Sequence, residues 1–193
     1  MKLSTEIKYL SNKKNILFIV FSLLLIVSWM LLCIKIDREH DRGLLTSFGY
    51  CCIFSFILVT FFSNNKITDF FTLFIALFVS CFIVLITFML SLMLSIFIGW
   101  FAIVLPSVAT GFLIFYTIRL LVSFSDNKTA FWTITLMPII TALIFIVLSK
   151  FLDDIILHEL GIGFSISIYL SLIIISIAVL CRENNTKEET ENL

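Results

Sequence analysis

The sequence predicts an all-α integral membrane protein with about six transmembrane helices, and three observations lead to this fold class. The chain is 61% hydrophobic and 13% charged, whereas soluble domains carry about 25% charged residues. From Phe70 to Ile118 it runs 49 residues without a charged side chain. A helix of that length would measure roughly 73 Å against a bilayer core of about 30 Å, so this run must cross a membrane twice. The apolar runs do not alternate with polar residues, which excludes membrane β-strands.

Gaps between charged residues place the six spans in order along the chain. Lys13 and Lys14 precede the first span, the charged cluster 35–42 separates the first from the second, and Asp126 and Lys128 precede the fifth. The predicted spans cover residues 15–34, 44–62, 68–90, 97–123, 130–149 and 162–181. Residues 1–14 are predicted to form a short cytoplasmic N-terminal segment, and residues 182–193 a polar, disordered cytoplasmic tail.

The boundary between the third and fourth spans is open between three arrangements. Ser91, Ser95 and Gly99 recur every four residues, so they would share one face if this stretch were helical. Residues 87–105 therefore form a turn, a re-entrant segment or part of a long tilted helix. Irregular backbone at this depth has to be covered by protein rather than by lipid.

Lysine and arginine residues predict the orientation of the chain. With the N-terminus inside, nine of the 13 fall on the inner side, and four, namely Lys35, Arg38, Arg42 and Lys150, fall on the outer side. The positive-inside rule then places both termini in the cytoplasm. We expect a multi-pass protein of the bacterial inner, or cytoplasmic, membrane, with the lipid bilayer as the partner of its spans.

The spans carry no Asp, Glu, Lys or His at mid-depth. Arg119 lies near the inner end of the fourth span, from which it can reach the interface. Proton-coupled transporters and intramembrane proteases need acids, bases or nucleophiles at depth, so we expect no catalytic, cofactor or metal site and a chain that is not an enzyme. The net charge of zero gives no basic footprint for direct nucleic-acid binding.

Two predicted outer loops, 35–42 and 150–160, hold both histidines among carboxylates, and we expect them to sense a change outside the membrane. The candidate sensing residues are Asp37, Glu39, His40, Asp41, Asp153, Asp154, His158 and Glu159. Such a set is able to bind Zn²⁺ or to sense pH, but the simpler alternative of solvated loops that anchor the span ends is favoured. The apolar pattern of 150–160 fits a short interfacial helix or an extension of the sixth span.

Small residues recur every four positions on three spans and indicate close helix packing. These candidate packing seams are Ser47, Cys51 and Ser55, then Ser107 and Gly111, and finally Gly163, Ser167 and Ser171. They pack helices within one subunit or join the subunits of a homo-oligomer, and we expect a homo-oligomer. The five cysteines have no metal-ligand spacing, so they are interpreted as small apolar residues.

In size, hydropathy and Ile/Phe/Asn/Lys-rich composition, the whole chain resembles the membrane component of the Kiwa anti-phage defence system, which is paired with a soluble effector. That resemblance implies an oligomeric membrane sensor that recruits a cytoplasmic partner protein. The chain is also similar to immunity proteins that protect the producers of pore-forming bacteriocins. A third interpretation is a small channel or transporter, although span hydroxyls also bond to their own helix backbone. The hydroxyls that would line a channel belong to Ser80, Thr87, Ser95, Ser107, Thr110 and Thr117.

Overall fold

The computed structural model describes residues 8–40, 43–98, 101–148 and 154–182, with side chains except at 34, 36–40, 43–47, 88, 90–98, 101–105, 145–146 and 154–163. Within these ranges the chain folds into six α-helices, and the all-α prediction is confirmed. The helices are α1 (Asn12–His40), α2 (Gly43–Phe62), α3 (Lys66–Ile98), α4 (Phe101–Ile118), α5 (Asn127–Leu148) and α6 (Asp154–Leu180).

Among the described residues, two helices contain segments that are long and apolar enough to cross a membrane. These segments are Asn12–Cys33 in α1 and Lys66–Thr87 in α3. Each has 22 residues, which gives a length of about 33 Å and matches a hydrocarbon core of about 30 Å. Shorter apolar segments lie in α2, α4 and α6. Membrane association is therefore supported by α1 and α3, and the six-span arrangement stays a prediction.

Consecutive helices pack against each other, and α6 returns to pack against α1, so the bundle closes on itself. α2 also packs against α6 and is therefore in contact with α1, α3 and α6. Because consecutive helices joined by short loops run antiparallel, the starts of α1, α3 and α5 meet the ends of α2, α4 and α6. We call this end, formed by residues 8–15, 62–69, 118–129 and 178–182, the closed end.

The third helix is longer than its predicted span. α3 continues to Ile98, so the reversal predicted between residues 90 and 97 lies inside the helix, and α4 begins at Phe101. Of residues 87–105, those at 87–98 continue α3 and those at 101–105 begin α4, while 99–100 lie outside the described residues. No glycine or proline interrupts residues 66–98, and the first such residue is Gly99, a residue type that commonly ends helices.

Further helix ends also differ from the predicted spans. α1 continues to His40, six residues beyond the predicted end at 34, so residues 35–40 of the predicted outer loop are helical. α4 ends at Ile118, and a turn at residues 119–121 replaces the last part of the predicted fourth span. α6 begins at Asp154 rather than at residue 162 and continues without a break to Leu180. An extension of the sixth span is therefore found, rather than a separate interfacial helix.

Between the helix ends, the outward faces of α1, α3 and α5 are largely apolar, and several polar side chains of the helices lie inside. Large exposed side chains follow helical spacing on α1 (Ile16, Val20, Leu24, Val27, Leu31), on α3 (Phe71, Ile75, Phe78, Phe82, Ile86) and on α5 (Trp132, Leu136, Ile140, Leu143, Val147). Buried polar side chains include Ser22, Ser55, Ser80, Thr117, Thr135 and Ser167. A soluble helix shows the opposite pattern, with its charged or polar face outward, and large exposed apolar patches mark contacts with lipid or protein.

Aromatic side chains fill the core between α1 and α2 near the closed end. Phe18 is fully buried, and its ring meets those of Phe61 and Phe62 edge to face, with centroids 5.1 and 5.5 Å apart. Edge-to-face aromatic pairs add about 0.5–1.5 kcal/mol beyond the area they bury. This contact holds the start of α1 against the end of α2 and so helps to position the closed end.

Candidate functional site

An N-terminal strap, residues 8–11, ties three parts of the chain together at the closed end. The amide of Leu10 donates to the carbonyl of Cys181 at 2.8 Å, and the amide of Lys8 donates to the carbonyl of Ser123 at 3.3 Å. Leu10 also forms a parallel bridge with Arg182, and its side chain is only 4% exposed. The strap therefore lies between the α4–α5 loop and the end of α6.

Asn15 continues this connection one turn into α1. Its buried side-chain amide donates to the carbonyl of Ala178 at 3.0 Å. Ala178 belongs to the last turn of α6, where carbonyls have no partner within their own helix. Together with the amide of Leu10, Asn15 therefore satisfies acceptors at the end of α6 and fixes the two terminal helices to each other.

The α4–α5 loop is held by buried side chains and by a helix cap. Val122 and Phe124 are 0% and 2% exposed, which anchors the loop in the core. Asp126 caps α5, since its carboxylate accepts hydrogen bonds from the amides of Lys128 and Thr129 at 3.0 and 3.1 Å. The Thr129 hydroxyl donates to the second oxygen at 2.5 Å. An aspartate before the first turn is a preferred helix N-cap.

The Asp126 cap predicts a pH-dependent start of α5. Hydrogen bonds from the hydroxyl and amide of Thr129, then from the amide of Lys128, hold the pKa of the Asp126 carboxyl below its usual range. A depressed folded pKa means that the cap stabilises the fold above the unfolded pKa and is lost as pH falls through the folded value. We expect Asp126→Ala to lower the protection factors of the amides of residues 128–129 at pH 7, and Asp126→Asn, which still caps, to keep them but to remove their fall at acidic pH. Equal exchange in wild type and Asp126→Ala would contradict this cap.

Basic side chains dominate the surface of the closed end. Its described residues include seven basic ones, Lys8, Lys13, Lys14, Lys66, Arg119, Lys128 and Arg182, and two acidic ones, Asp69 and Asp126. Of these, Lys13, Lys14, Lys66, Lys128 and Arg182 are exposed, and we call these five the basic face. Asp69 accepts a hydrogen bond from the Ser63 hydroxyl at 2.6 Å. A surface of this charge attracts acidic proteins and anionic lipid headgroups.

Arg119 lies at the closed end, one residue beyond α4, as its sequence position predicts. Its side chain is half-buried. Its Nε atom is buried and has no hydrogen-bond partner among the described residues. Arg119 is therefore partly enclosed by the fold, in contrast to a side chain that extends fully into solvent.

The predicted sensing residues lie at the opposite end of the bundle. Asp41 and Asp153 fall outside the described residues. For Asp37, Glu39, His40, Asp154, His158 and Glu159 only the helical backbone is described, at the end of α1 and the start of α6. Because α1 and α6 pack against each other, the fold brings these two charged segments to one end of the bundle. Their role as sensors stays a prediction.

Four described members of the small-residue seams, Cys51, Ser55, Gly111 and Ser167, are buried or in helix contact within one chain. A Cβ atom added at Gly111 would lie 2.6 Å from the Cα of Thr135, so α4 and α5 are in backbone contact there. Ser167 is buried in α6, and its hydroxyl bonds to that of Tyr50 in α2 at 2.5 Å. Ser55 and Cys51 are buried as well. The side chains of Ser47 and Gly163 lie outside the described part, and a homo-oligomer stays a prediction that does not rest on these seams.

Hydroxyls in the spans bond mainly to their own helices. Ser80, Thr87, Thr110 and Thr117 each donate to the carbonyl four residues earlier, at 2.7 or 2.8 Å. Bonding of a hydroxyl to its own helix backbone is the alternative to a polar channel lining that the sequence leaves open. The side chain of Ser95 lies outside the described residues. These four hydroxyls therefore give no specific support to a channel.

A pair of cysteines in the middle of the bundle escaped the sequence interpretation. The sulfur atoms of Cys51 in α2 and Cys81 in α3 lie 3.6 Å apart. α2 and α3 form an antiparallel hairpin around the loop 63–65, and these two residues lie at similar distances from that loop, 11 before Phe62 and 15 after Lys66. In an antiparallel hairpin, residues at similar distances from the loop lie side by side. This geometry is the signal that pairs the two cysteines, whereas their spacing along the chain does not indicate a contact.

Comparison of the chain with known protein families, curated proteins and solved structures gives no match. The functional argument therefore depends on the arrangement of the residues described above.

Proposed function

We propose that this chain is a multi-pass protein of the bacterial inner membrane that acts without catalysis as a sensor and scaffold in a defence system. Its cytoplasmic task is to recruit a soluble effector protein to the basic face. The observation that carries this proposal is the contrast between a bundle with apolar outward faces and a closed end that is charged and tied together by hydrogen bonds.

All six helices span the membrane in this proposal, and the closed end lies in the cytoplasm with both termini. The apolar outward faces of α1, α3 and α5 support a lipid surround. The basic face supports the orientation, because cytoplasmic segments are enriched in lysine and arginine. The same outward faces supply the subunit contacts of a homo-oligomer, since the described small-residue seams are used inside the chain.

The closed end is suited to docking because its surface is held in place before a partner arrives. The strap, Asn15 and the Asp126 cap fix the α4–α5 loop and the end of α6 relative to α1. A surface ordered in advance binds with a smaller entropic cost. Its excess of basic residues selects a partner with an acidic docking surface.

Sensing at the opposite end reaches the closed end through continuous helices. α1 carries Asp37, Glu39 and His40 near one end and Asn15 near the other, and α6 carries Asp154 and His158 near one end and Ala178 near the other. Asn15 and Ala178 are hydrogen-bonded, so a relative shift of α1 and α6 at the outer end changes the contact that positions the strap. Coupling of this kind requires two packing arrangements that both ends bias.

Neutralising the basic face is expected to release the effector from the membrane. In the variant Lys13→Gln, Lys14→Gln, Lys66→Gln and Lys128→Gln, co-sedimentation of the soluble protein encoded in the same locus should weaken about tenfold, equal to ~1.4 kcal/mol. Four exposed charge contacts at a few tenths of a kcal/mol each account for this loss. The matched control is Lys35→Gln, Arg38→Gln and Arg42→Gln in the predicted outer loop 35–42, which should leave co-sedimentation unchanged.

Two further experiments, reporter fusions and a phage challenge, complete this test. Reporter fusions at Leu193 and His40 should report opposite sides of the membrane in each variant, so that a loss of recruitment is not a change of orientation. Phage challenge of cells carrying the whole locus should show lost protection when the carboxylates of both outer loops are neutralised. Unchanged co-sedimentation in the four-lysine variant contradicts the docking surface. Protection against a pore-forming bacteriocin instead of phage assigns the chain to the immunity class.

A further inference from the structure

The Cys51–Cys81 pair lies at the middle depth of the bundle. Counting from the closed end along α2 and α3, the two residues are 11 and 15 positions from the helix ends, which corresponds to roughly 17–22 Å. In a hydrocarbon core of about 30 Å this position lies away from both aqueous faces. Water-soluble oxidants and reductants therefore have poor access to the pair.

The two residues of the pair differ in exposure, although their sulfur atoms are in contact. Cys51 is 8% exposed, whereas Cys81 is exposed on the outer side of α3 beside the exposed side chains of Val79 and Phe82. In the membrane this surface meets acyl chains. Cys81 is thus the member of the pair that a molecule dissolved in the bilayer can reach, and Cys51 is positioned behind it.

We propose that Cys51 and Cys81 form a redox modification site at which a quinone dissolved in the bilayer oxidises the two thiols to a disulfide. The two S–H bonds break and one S–S bond forms. The two electrons and two protons reduce the quinone to a hydroquinone, so no further reactant is needed. The sulfur atoms are 3.6 Å apart and must approach by about 1.5 Å to reach a disulfide bond length.

The disulfide would act on the central helix of the bundle. Cys51 follows Tyr50, whose hydroxyl bonds to Ser167 of α6 at 2.5 Å. A covalent bond from Cys51 to α3 would therefore connect α2 to α3 and, through Tyr50, restrain its position against α6. This site is independent of the basic face, since it needs neither a soluble partner nor a particular orientation in the membrane.

The test uses the full chain in liposomes of phosphatidylethanolamine and phosphatidylglycerol, with decyl-ubiquinone as the oxidant. The five cysteines are free in the structure, and the protein is reduced with dithiothreitol and desalted before the quinone is added. After quinone treatment, acid quenching and unfolding in sodium dodecyl sulfate, which exposes all five cysteines to maleimide, wild type is expected to have lost two of its five reactive thiols and to have yielded one hydroquinone per chain. Peptide mapping should find the Cys51–Cys81 crosslink within one chain, and dithiothreitol should restore both thiols.

Cys51→Ser and Cys81→Ser are each expected to produce no hydroquinone and no intramolecular crosslink. Cys52→Ser is the matched control, because Cys52 is adjacent in sequence and outside the pair, and it should behave as wild type. Peptide mapping of wild type itself keeps the proposal testable if a serine variant misfolds. Retention of all five reactive cysteines at saturating quinone overturns the proposal. A crosslink that joins other cysteines, or two copies of the chain, overturns it as well.

Discussion

Gly111→Ala is expected to destabilise the folded bundle by about 1–3 kcal/mol, the usual cost of overpacking a well-packed interior. A Cβ atom at this position would lie 2.6 and 2.8 Å from the Cα and carbonyl carbon of Thr135. Both are backbone atoms, so the clash can be relieved only if α4 and α5 move apart. Those two helices pack together along the bundle, and the lower stability should appear as a lower midpoint of thermal unfolding in nanodiscs.

A second glycine provides the matched comparison. A Cβ atom at Gly49 would collide with the ring of Trp29, which is a side chain. Gly49→Ala should therefore recover stability when combined with Trp29→Leu. Gly111→Ala should not recover when combined with Thr135→Ala, because the colliding atoms remain in place. Rescue of Gly111→Ala by Thr135→Ala would mean that the α4–α5 contact is made by side chains.

The sequence predicts the number of helices and most of their positions because charges delimit apolar runs. Within the uncharged run from Phe70 to Ile118 this signal is missing, and the end of α3 is misplaced there. The residue types within the run indicate where α3 ends, because Gly99 is the first residue of that region unsuited to a helix interior. Hydropathy measures burial in lipid and does not measure where a helix ends.

The closed end was beyond sequence reasoning for a different reason. Residues 8–11 show no periodic pattern, and their role depends on carbonyls of Ser123 and Cys181 that are distant in sequence. The basic residues of this end were recognised individually as orientation signals, but their assembly into one surface required the packing of the helices. Small-residue spacing marks Gly111 as a position of close packing, whereas its partner Thr135 cannot be assigned from spacing.

Ser167→Leu is expected to lower the stability of each subunit while leaving the oligomeric mass of the folded protein unchanged. Ser167 is 5% exposed, and its hydroxyl bonds to the Tyr50 hydroxyl at 2.5 Å where α2 and α6 pack. Leucine removes this bond and inserts a larger side chain into the contact. Interhelical hydrogen bonds in membranes contribute about 0.6 kcal/mol on average, and overpacking adds about 1–3 kcal/mol. Thermal unfolding and native mass spectrometry of the same sample measure the two properties.

Two further variants separate the contributions to this loss of stability. One distinguishes the lost hydrogen bond from the added side-chain volume, and the other compares a buried position with a less buried one. Ser167→Ala removes the hydroxyl without adding volume, so its effect should be the smaller part of that of Ser167→Leu. Ser171 is half-buried and donates to the carbonyl of Ser167 within α6 at 2.7 Å, so Ser171→Leu should be milder. The opposite outcome is dissociation of an oligomer by Ser167→Leu with unchanged stability of the subunit. It would mean that Ser167 packs between subunits rather than between α2 and α6 of one chain.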